Sequence, residues 1–382
     1  MTAPTGSERP DPANEPDRAG AGEPVPGDRA EAGEPAGKES PAGTGSERLG
    51  PAHVVQKVWE GEDGLGLRLL GAVLTPAELG FRSAVGVRDL VYRTGIANVN
   101  ASPVPAISVG NITVGGTGKT PMVRWVVRRL LAHDLTPGIL HGGYAEDEPA
   151  LHRRWFPDLP VVADRDRLRG AGVAMRRGAE VLVLDDAFQH RAFGRDLDLV
   201  LVSAETWTRY GRLLPRGPFR ESPRALRRAD MVIVTRRTAT ATEAALVEAE
   251  VAHVSRRPTA RVHLRPGAWL DGLLRPRGHA APPGPGVAVA GVARPDDFFD
   301  QTEEAGARLV DAIAFPDHHD YTRAEAQALG REAAGRPLVT TAKDAVKLAA
   351  LLPDVELWVL DQDVTFESGR KRLTRAVDEV VK

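Results

Sequence analysis

Residues 104–121 read Val-Pro-Ala-Ile-Ser-Val-Gly-Asn-Ile-Thr-Val-Gly-Gly-Thr-Gly-Lys-Thr-Pro. The apolar run 107–109 is typical of a buried strand, and a helical pattern follows over 123–131. A glycine-rich turn between a strand and a helix N-terminus is the arrangement of a phosphate-binding P-loop. The stretch therefore predicts nucleotide binding. Thr113 stands where the strict pattern has glycine, and a plain glycine-rich turn is the alternative.

The residue types in this loop fit phosphate chemistry. Glycines let the backbone close around a phosphate, Lys119 supplies a positive charge, and the Thr120 hydroxyl is a ligand type that Mg²⁺ accepts. The residues predicted to bind the nucleotide are Gly115, Gly116, Thr117, Gly118, Lys119 and Thr120.

Composition narrows the class of protein. The chain has 382 residues, a formal net charge of −2 and no cysteine. The charge argues against a nucleic-acid partner, and the lack of cysteine excludes a disulfide framework or a cysteine-based zinc site. The sequence shows neither a run long enough for a transmembrane helix nor a signal-peptide core. We expect a location in the cytoplasm or on the cytoplasmic face of a membrane.

Strand and helix patterns alternate along most of the chain, which predicts an α/β fold. We expect a P-loop NTPase-type doubly wound parallel sheet with a second, smaller α/β lobe. Further strands are predicted at 161–162, 181–184, 199–202, 231–234, 287–292, 338–341 and 357–360. The predicted divisions are a disordered low-complexity segment 1–50, N-terminal amphipathic helices 51–100, a P-loop domain 101–256, an interlobe linker 257–286 and a C-terminal α/β lobe 287–382.

The segment 65–92 has two short helical patterns with apolar and basic residues. The apolar positions are Leu67, Leu70, Val73, Leu74, Phe81, Val85, Leu90 and Val91; the basic ones are Arg68, Arg82, Arg88 and Arg93. Such helices dock on an anionic membrane, or they pack on the adjacent domain. The residues alone leave both interpretations open.

Carboxylates follow the strands near the loop. Asp185 and Asp186 end the apolar run 181–184, where P-loop enzymes place a Mg²⁺ carboxylate, although a turn or cap is the plainer interpretation. Glu146-Asp147-Glu148-Pro149 is either a solvated loop or a source of a general base and a metal contact.

Three later motifs also carry polar groups. The stretch Phe315-Pro-Asp-His-His-Asp-Tyr321 contains two histidines between aspartates. A His–Asp pair that adjusts the pKa of a base is favoured over a zinc site, and the alternative is that both histidines are simply exposed on a loop. The stretch Thr340-Thr-Ala-Lys-Asp-Ala-Val-Lys347 has the signature of a helix N-terminus. The basic loop 211–221, with Arg212, Arg216 and Arg220, either binds an anion or is simply exposed.

Taken together, these motifs resemble the tetraacyldisaccharide 4′-kinases, the lipid A kinases of Gram-negative bacteria. The similarity covers roughly residues 65–350 and rests on five segments in the family's order. They are the loop 109–121, Leu-Asp-Asp-Ala-Phe-Gln-His-Arg (184–191), Gly-Arg-Leu-Leu-Pro-Arg-Gly-Pro-Phe-Arg-Glu (211–221), Phe-Pro-Asp-His-His-Asp-Tyr-Thr (315–322) and Thr-Ala-Lys-Asp-Ala-Val-Lys-Leu (341–348).

The resemblance implies transfer of the γ-phosphate of ATP to the 4′-hydroxyl of a tetraacylated glucosamine disaccharide 1-phosphate. It implies that Lys119 contacts the β- and γ-phosphates and that Mg²⁺ is surrounded by Thr120, Glu148, Asp185 and Asp186. It also implies that Asp147 is the general base and that His318 adjusts the basicity of Asp147. His318 is chosen over His319 by motif position alone. ATP and Mg²⁺ are the implied cofactors. The implied location is peripheral, on the cytoplasmic face of the inner membrane, with no nucleic acid and no obligate protein partner.

The chain departs from the family in the segment before the Glu-Asp-Glu-Pro carboxylates, and Ala187 stands where the family has glycine. Family members have Ser-Arg-Gly-Tyr-Gly and a longer loop before the carboxylates, whereas His141-Gly-Gly-Tyr-Ala145 here precedes them directly. Gly142 thus replaces an arginine, for which Arg165 or Arg167 is a candidate substitute. The alternative functions are a catalytically impaired nucleotide-binding paralogue with a regulatory role and a P-loop switch acting on a protein partner.

Overall fold

The computed structural model describes Trp59, residues 65–278 and residues 280–382. The predicted disordered segment 1–50 lies outside the described residues, as do most of 51–64 and the side chains of Leu67 and Arg68. The part that is described belongs to one compact unit. None of its helices is both long and apolar enough to span a bilayer.

Helices and strands alternate as the sequence predicts. The helices are α1 (Leu65–Val73), α2 (Thr75–Arg93), α3 (Lys119–Leu131), α4 (Asp147–Trp155), α5 (Arg167–Arg176), α6 (Ala241–Ser255), α7 (Pro295–Glu304), α8 (Arg323–Ala333), α9 (Ala342–Leu351) and α10 (Arg370–Val380). The strands are β1 (Ala106–Asn111), β2 (Pro137–His141), β3 (Val161–Ala163), β4 (Val181–Asp185), β5 (Leu197–Ser203), β6 (Met231–Arg236), β7 (Thr259–Asp271), β8 (Pro276–Gly278), β9 (Pro285–Ala290), β10 (Arg308–Ala314), β11 (Leu338–Thr341) and β12 (Leu357–Ser368).

The described strands form one twelve-stranded sheet in the order β10-β9-β11-β12-β7-β6-β5-β1-β4-β2-β3, with β8 beside β7. Neighbouring strands are parallel, except that β7 is antiparallel to both β12 and β8. Strand β1 lies between β4 and β5 and pairs with both of them in parallel. Strands that come later in the chain thus lie on both sides of β1, which is the topology of a doubly wound sheet. The predicted α/β fold is confirmed.

The predicted linker 257–286 is not a loop, because most of it is sheet. The first part of β7 pairs with β6 in parallel, and almost all of β7 pairs with β12 in antiparallel, from Arg261 opposite Ser368 to Asp271 opposite Trp358. Pro266 and Gly267 interrupt the apolar alternation and make this strand resemble a linker. They lie where the register with β12 shifts, next to Leu360 and Gln362.

The antiparallel β7–β12 pair determines where the cleft lies. We call β1–β7 the first half of the sheet and β9–β12 the second half. The first half joins the start of β7 (259–263), and the second half joins the start of β12 (357–360), which lies opposite the end of β7. Because the two halves are displaced along this pair and their strands run in opposite directions, the carboxyl ends of β1 and β4 face those of β9 and β11. Ligand sites in open α/β sheets form at the carboxyl ends of strands, so the fold directs both sets of loops into one cleft.

The last helix returns to the first half. Leu373 and Val377 of α10 are buried in the same apolar cluster as Val123 and Val127 of α3. An ion pair between Arg129 and Asp378, with 2.6 Å between Nη2 and Oδ2, joins the same two helices. Residues 370–380, which the sequence assigns to the C-terminal lobe, therefore pack against the P-loop half.

Candidate active site in the interlobe cleft

The glycine-rich loop connects β1 to α3, as predicted. Gly118 precedes α3 with φ of +85°, and a Cβ there would lie 2.4 Å from Leu264 Cδ1, so only glycine fits without displacement. Asn111 Nδ2 donates a hydrogen bond of 2.9 Å to Thr117 Oγ1, and Thr235 Oγ1 donates one of 2.9 Å to the Thr117 carbonyl. The loop is therefore held in shape by its neighbouring strands.

Two predicted carboxylates lie against the start of α3. Lys119 Nζ is 3.9 Å from Asp186 Oδ1, and Thr120 Oγ1 is 3.5 Å from Glu148 Oε1. Arg220, from the predicted basic loop, donates to Asp186 Oδ2 at 2.8 Å. Burial alone would raise the pKa of Asp186, but Lys119 and Arg220 hold it below its usual range. Asp186 is therefore ionised at neutral pH.

Asp185, the other member of the pair, is only 1% exposed and lies behind this surface. Neither of its carboxylate oxygens accepts a hydrogen bond from any residue that the structure describes. Burial, and then repulsion by Glu148, raises the pKa of Asp185 well above its usual value. His141 Nδ1 lies 3.6 Å from Asp185 Oδ2, and the other ring nitrogen of His141 is 3.0 Å from His152 Nδ1. Burial lowers the pKa of His141 to about 4, so this histidine is neutral at pH 7.

Asp147 and Glu148 begin α4, and side chains from the second half of the sheet reach both of them. His318 Nδ1, from the loop after β10, is 2.7 Å from Asp147 Oδ2. Lys343 of α9 donates to Glu148 Oε1 at 2.5 Å, and Lys347 Nζ is 3.6 Å from Asp147 Oδ2. The predicted carboxylates are thus paired with cations across the cleft.

These pairs shift the ionisation of all the groups involved. Burial would raise the pKa of Asp147, but its hydrogen bond to His318 and the nearby lysines lower it. For the same reasons Lys343 and Lys119 keep the pKa of Glu148 far below its usual range. The hydrogen bond to Asp147 raises the pKa of His318. Both carboxylates are therefore ionised at neutral pH despite their burial.

The neighbouring histidine makes different contacts. His319 Nε2 is 3.3 Å from Glu325 Oε2, and its ring lies 4.7 Å from the Phe315 ring. Of the two histidines, between which the sequence offers only motif position, His318 is the one that contacts Asp147.

Gly142, which stands where the family has arginine, lies beside Tyr144 and Arg167. A Cβ on Gly142 would lie 2.7 Å from the Tyr144 ring and 3.4 Å from Arg167 Nη2, and the same nitrogen donates to the Asp185 carbonyl at 3.1 Å. Arg165 instead stacks over the exposed ring of Tyr144, with its guanidinium carbon 5.3 Å from the ring centroid. Of the two candidate substitutes, Arg167 is the one that lies against Gly142 and the Asp185 segment.

These groups surround a cleft of about 390 Å³ between the two halves of the sheet. The first half contributes residues 114–121, Glu148 and Asp186, and the second half contributes residues 292–294, His318 and Lys343. Arg237, which the sequence did not single out, donates to the Gly116 carbonyl at 2.6 Å. The size and the phosphate loop fit a bound nucleotide.

The donor set of the cleft fits Mg²⁺. The Thr120 hydroxyl and the carboxylates of Glu148 and Asp186 are hard oxygen ligands on neighbouring elements, and Mg²⁺ prefers such ligands. The two carboxylate oxygens of Asp185 that lack hydrogen bonds within the described chain are a second indication of a cation nearby.

Three cationic side chains of this site were not predicted from the sequence. Lys343 and Lys347 belong to a stretch whose threonine and aspartate are fully explained as a helix N-terminus, and Arg237 follows a strand without a recognisable motif. The i, i+4 spacing of the two lysines was the available signal, because it places both on one face of a helix.

Comparison with known proteins agrees with this geometry. The family Tetraacyldisaccharide-1-P 4′-kinase matches residues 70–382. A protein of Anaeromyxobacter dehalogenans strain 2CP-C named tetraacyldisaccharide 4′-kinase is 39% identical, and the match covers 73% of this chain and 82% of that protein. A protein of Geobacter sulfurreducens with the same name is 38% identical, and the match covers 78% of this chain and 90% of that protein.

A solved structure is similar as well. The crystal structure of the "apo" form of LpxK from Aquifex aeolicus in complex with ATP superposes with a TM-score of 0.64 at 26% identity, covering 82% of this chain and all of that one. The family match extends over most of the chain and includes every element that lines the cleft. The chain therefore belongs to the tetraacyldisaccharide 4′-kinase family.

Proposed function

We propose that the protein is an ATP-dependent lipid kinase that phosphorylates the 4′-hydroxyl of a tetraacylated glucosamine disaccharide 1-phosphate, a step of lipid A synthesis. The observation that carries this proposal is the 2.7 Å contact between Asp147 and His318 beside the phosphate loop. It places an ionised carboxylate, held by a histidine that lines the cleft, next to Glu148 and the phosphate loop. Family membership supports the choice of acceptor.

The geometry supports a distinct role for each group. The backbone of residues 115–120 surrounds the β- and γ-phosphates, and Lys119 adds a positive charge to them. Asp147 accepts the proton of the sugar hydroxyl, and the hydrogen bond from His318 keeps its carboxylate ionised and oriented. Thr120, Glu148 and Asp186 would hold Mg²⁺, with Asp185 beside them, and the ion would neutralise charge on the phosphate oxygens.

A catalytically impaired paralogue has no support from the described site. The P-loop lysine, the candidate base, its histidine and the metal carboxylates are all in contact with their expected partners. Arg167 fills the region beside Gly142, where the family has arginine. The departure in sequence therefore does not leave this part of the site without a guanidinium group.

We further propose that the protein binds the cytoplasmic face of the inner membrane through α2. One face of α2 packs on the protein, where Phe81 joins an apolar cluster with Trp207. On the opposite face Leu79, Val87 and Leu90 are each more than half exposed. Positions 79, 87 and 90 lie on one side of the helix, with Ser83 between them, so the three apolar side chains form a stripe that fits an acyl-chain environment.

Transfer of label from γ-labelled ATP to the disaccharide lipid in detergent micelles tests the kinase activity. We expect Mg²⁺-dependent labelling of the lipid, and no labelling by the Lys119→Ala variant. Unlabelled lipid from a protein that still binds ATP would contradict the proposed acceptor.

A further inference from the structure

Lys343 is the closest described cation to Glu148 and reaches it from the opposite half of the sheet. Its Nζ lies 2.5 Å from Glu148 Oε1, the oxygen that is also 3.5 Å from Thr120 Oγ1. Lys343 also lines the cleft together with the phosphate loop. Its ammonium group therefore lies next to the end of the phosphate loop at which Lys119 and Thr120 begin α3.

The start of α9 is fixed in place, so Lys343 is directed by the fold. The Thr341 hydroxyl caps the helix by accepting from the Asp344 backbone N–H at 3.1 Å. Asp344 in turn accepts hydrogen bonds from the Gly291 backbone N–H and the Tyr321 hydroxyl, both at 3.0 Å. This network ties the first turn of α9 to the loops after β9 and β10, and Lys343 is the second residue of that turn.

The other lysine of the helix has a different environment. Lys347 Nζ donates to the His319 carbonyl at 2.8 Å and lies 3.6 Å from Asp147 Oδ2, and it does not line the cleft. Its contacts hold the histidine loop against α9. Lys343 has no such carbonyl partner among the described residues, and Glu148 is the acceptor of its hydrogen bond.

We propose that Lys343 is a catalytic residue that contacts the transferring phosphoryl group, and that its ammonium exchanges the ion pair with Glu148 for the phosphoryl oxygens. The inference rests on the proposed kinase function. In the reaction the bond between the γ-phosphorus and the ADP oxygen breaks, and ADP leaves with the electron pair. A bond from the acceptor oxygen to phosphorus forms, and the acceptor proton passes to Asp147.

The chemistry explains why a cation from the second half is useful. Negative charge in this transition state is spread over three oxygens of the phosphoryl group, which lie around the axis that joins the attacking and leaving oxygens. A fixed ammonium in a cleft shielded from water stabilises such charge more than it stabilises the ground state. Since Lys343 is supplied by the second half, the set of charges is complete only where the two halves meet.

Replacing Lys343 by methionine keeps the aliphatic stem and removes the charge. We expect Lys343→Met to lower kcat by about 10²–10³, the usual effect of removing one fixed donor to transition-state charge. Lys371→Met is the matched control, because Lys371 is exposed on α10 and away from the cleft. Thermal unfolding of both variants shows whether they fold, and Lys343→Arg provides a second variant that retains the charge.

Nucleotide binding supplies a readout that is independent of turnover. ADP with Mg²⁺ and aluminium fluoride mimics the transferring phosphoryl group. We expect Lys343→Met to bind Mg·ADP with unchanged affinity. Aluminium fluoride tightens Mg·ADP binding to the wild type, and we expect this tightening factor to be at least tenfold smaller in the variant. Equal weakening of both complexes, or wild-type turnover by Lys343→Met, would overturn the proposal. Lack of label transfer by the wild type would instead refute the kinase function itself.

Discussion

His318 Nδ1 lies 2.7 Å from Asp147 Oδ2, although 171 residues separate them in the chain and they belong to opposite halves of the sheet. The contact exists because β7 and β12 pair in antiparallel and bring the carboxyl ends of both halves to one cleft. It makes ionisation of the candidate base dependent on a residue of the other half.

Removing this histidine should change the pH dependence of activity. The hydrogen bond from His318 lowers the pKa of Asp147, and the base works when it is deprotonated. His318→Asn should therefore raise that pKa and move the acidic limb of the kcat/KM profile to higher pH. His319→Asn is the control, since His319 contacts Glu325 instead, and it should leave the limb in place. An unmoved limb in His318→Asn would contradict the pairing.

Gly118 should tolerate no side chain. Its φ of +85° and the 2.4 Å approach of Leu264 Cδ1 to a built Cβ predict that Gly118→Ala lowers the free energy of unfolding by about 1–3 kcal/mol. Gly116→Ala is the matched control for stability, because nothing described lies within 3.9 Å of a Cβ there and φ is not positive. Chemical denaturation of both variants measures the difference. Equal stability of the two would show that the loop adjusts freely.

The ion pair between Arg124 and Asp361 should contribute strongly to stability. Arg124 of α3 is almost fully buried and donates to both Asp361 oxygens, at 2.8 and 3.0 Å, where β12 changes register. Arg124→Met leaves this carboxylate without its partner and should cost about 3 kcal/mol in unfolding free energy. The exposed pair of Arg375 and Glu379 is the comparison, and Arg375→Met should change stability by less than about 0.5 kcal/mol. Similar losses in both variants would rule out a special role for the buried pair.

The exposed stripe of α2 should determine membrane binding. Changing Leu79, Val87 and Leu90 to serine removes apolar surface without touching the packed Phe81 face. We expect this triple variant to sediment several-fold less with anionic vesicles. Leu246→Ser is the control, because Leu246 is equally exposed but lies on α6. If the triple variant sediments like the wild type, the attachment surface lies elsewhere.

Much of the fold follows from local patterns, and the departures have physical causes. Strands such as β4 and β6 contain continuous apolar runs because both of their faces are covered, so the sequence predicts them directly. Strand β7 was predicted as a linker because Pro266 and Gly267 break its pattern at the register shift. Packing of α10 on the first half depends on β12 crossing between the halves, which no local pattern contains.

The site shows the same division. The P-loop and the strand-end carboxylates are recognisable because their chemistry needs fixed residue types at fixed spacing. Lys343 was not recognisable as a site residue, because the helix cap formed by Thr341 and Asp344 already explains its motif. Its contact with Glu148 spans 195 residues and arises only when the two halves meet.

The central claim is that the cleft between the halves performs the phosphoryl transfer, with Asp147 as the base. The most direct test is the rate of phosphate transfer to the disaccharide lipid by Asp147→Asn, with ATP affinity measured on the same protein. We predict a loss of about 10²–10⁴ in rate with ATP affinity retained, because the amide keeps the shape of the carboxylate but accepts no proton. Transfer at the wild-type rate would contradict the account.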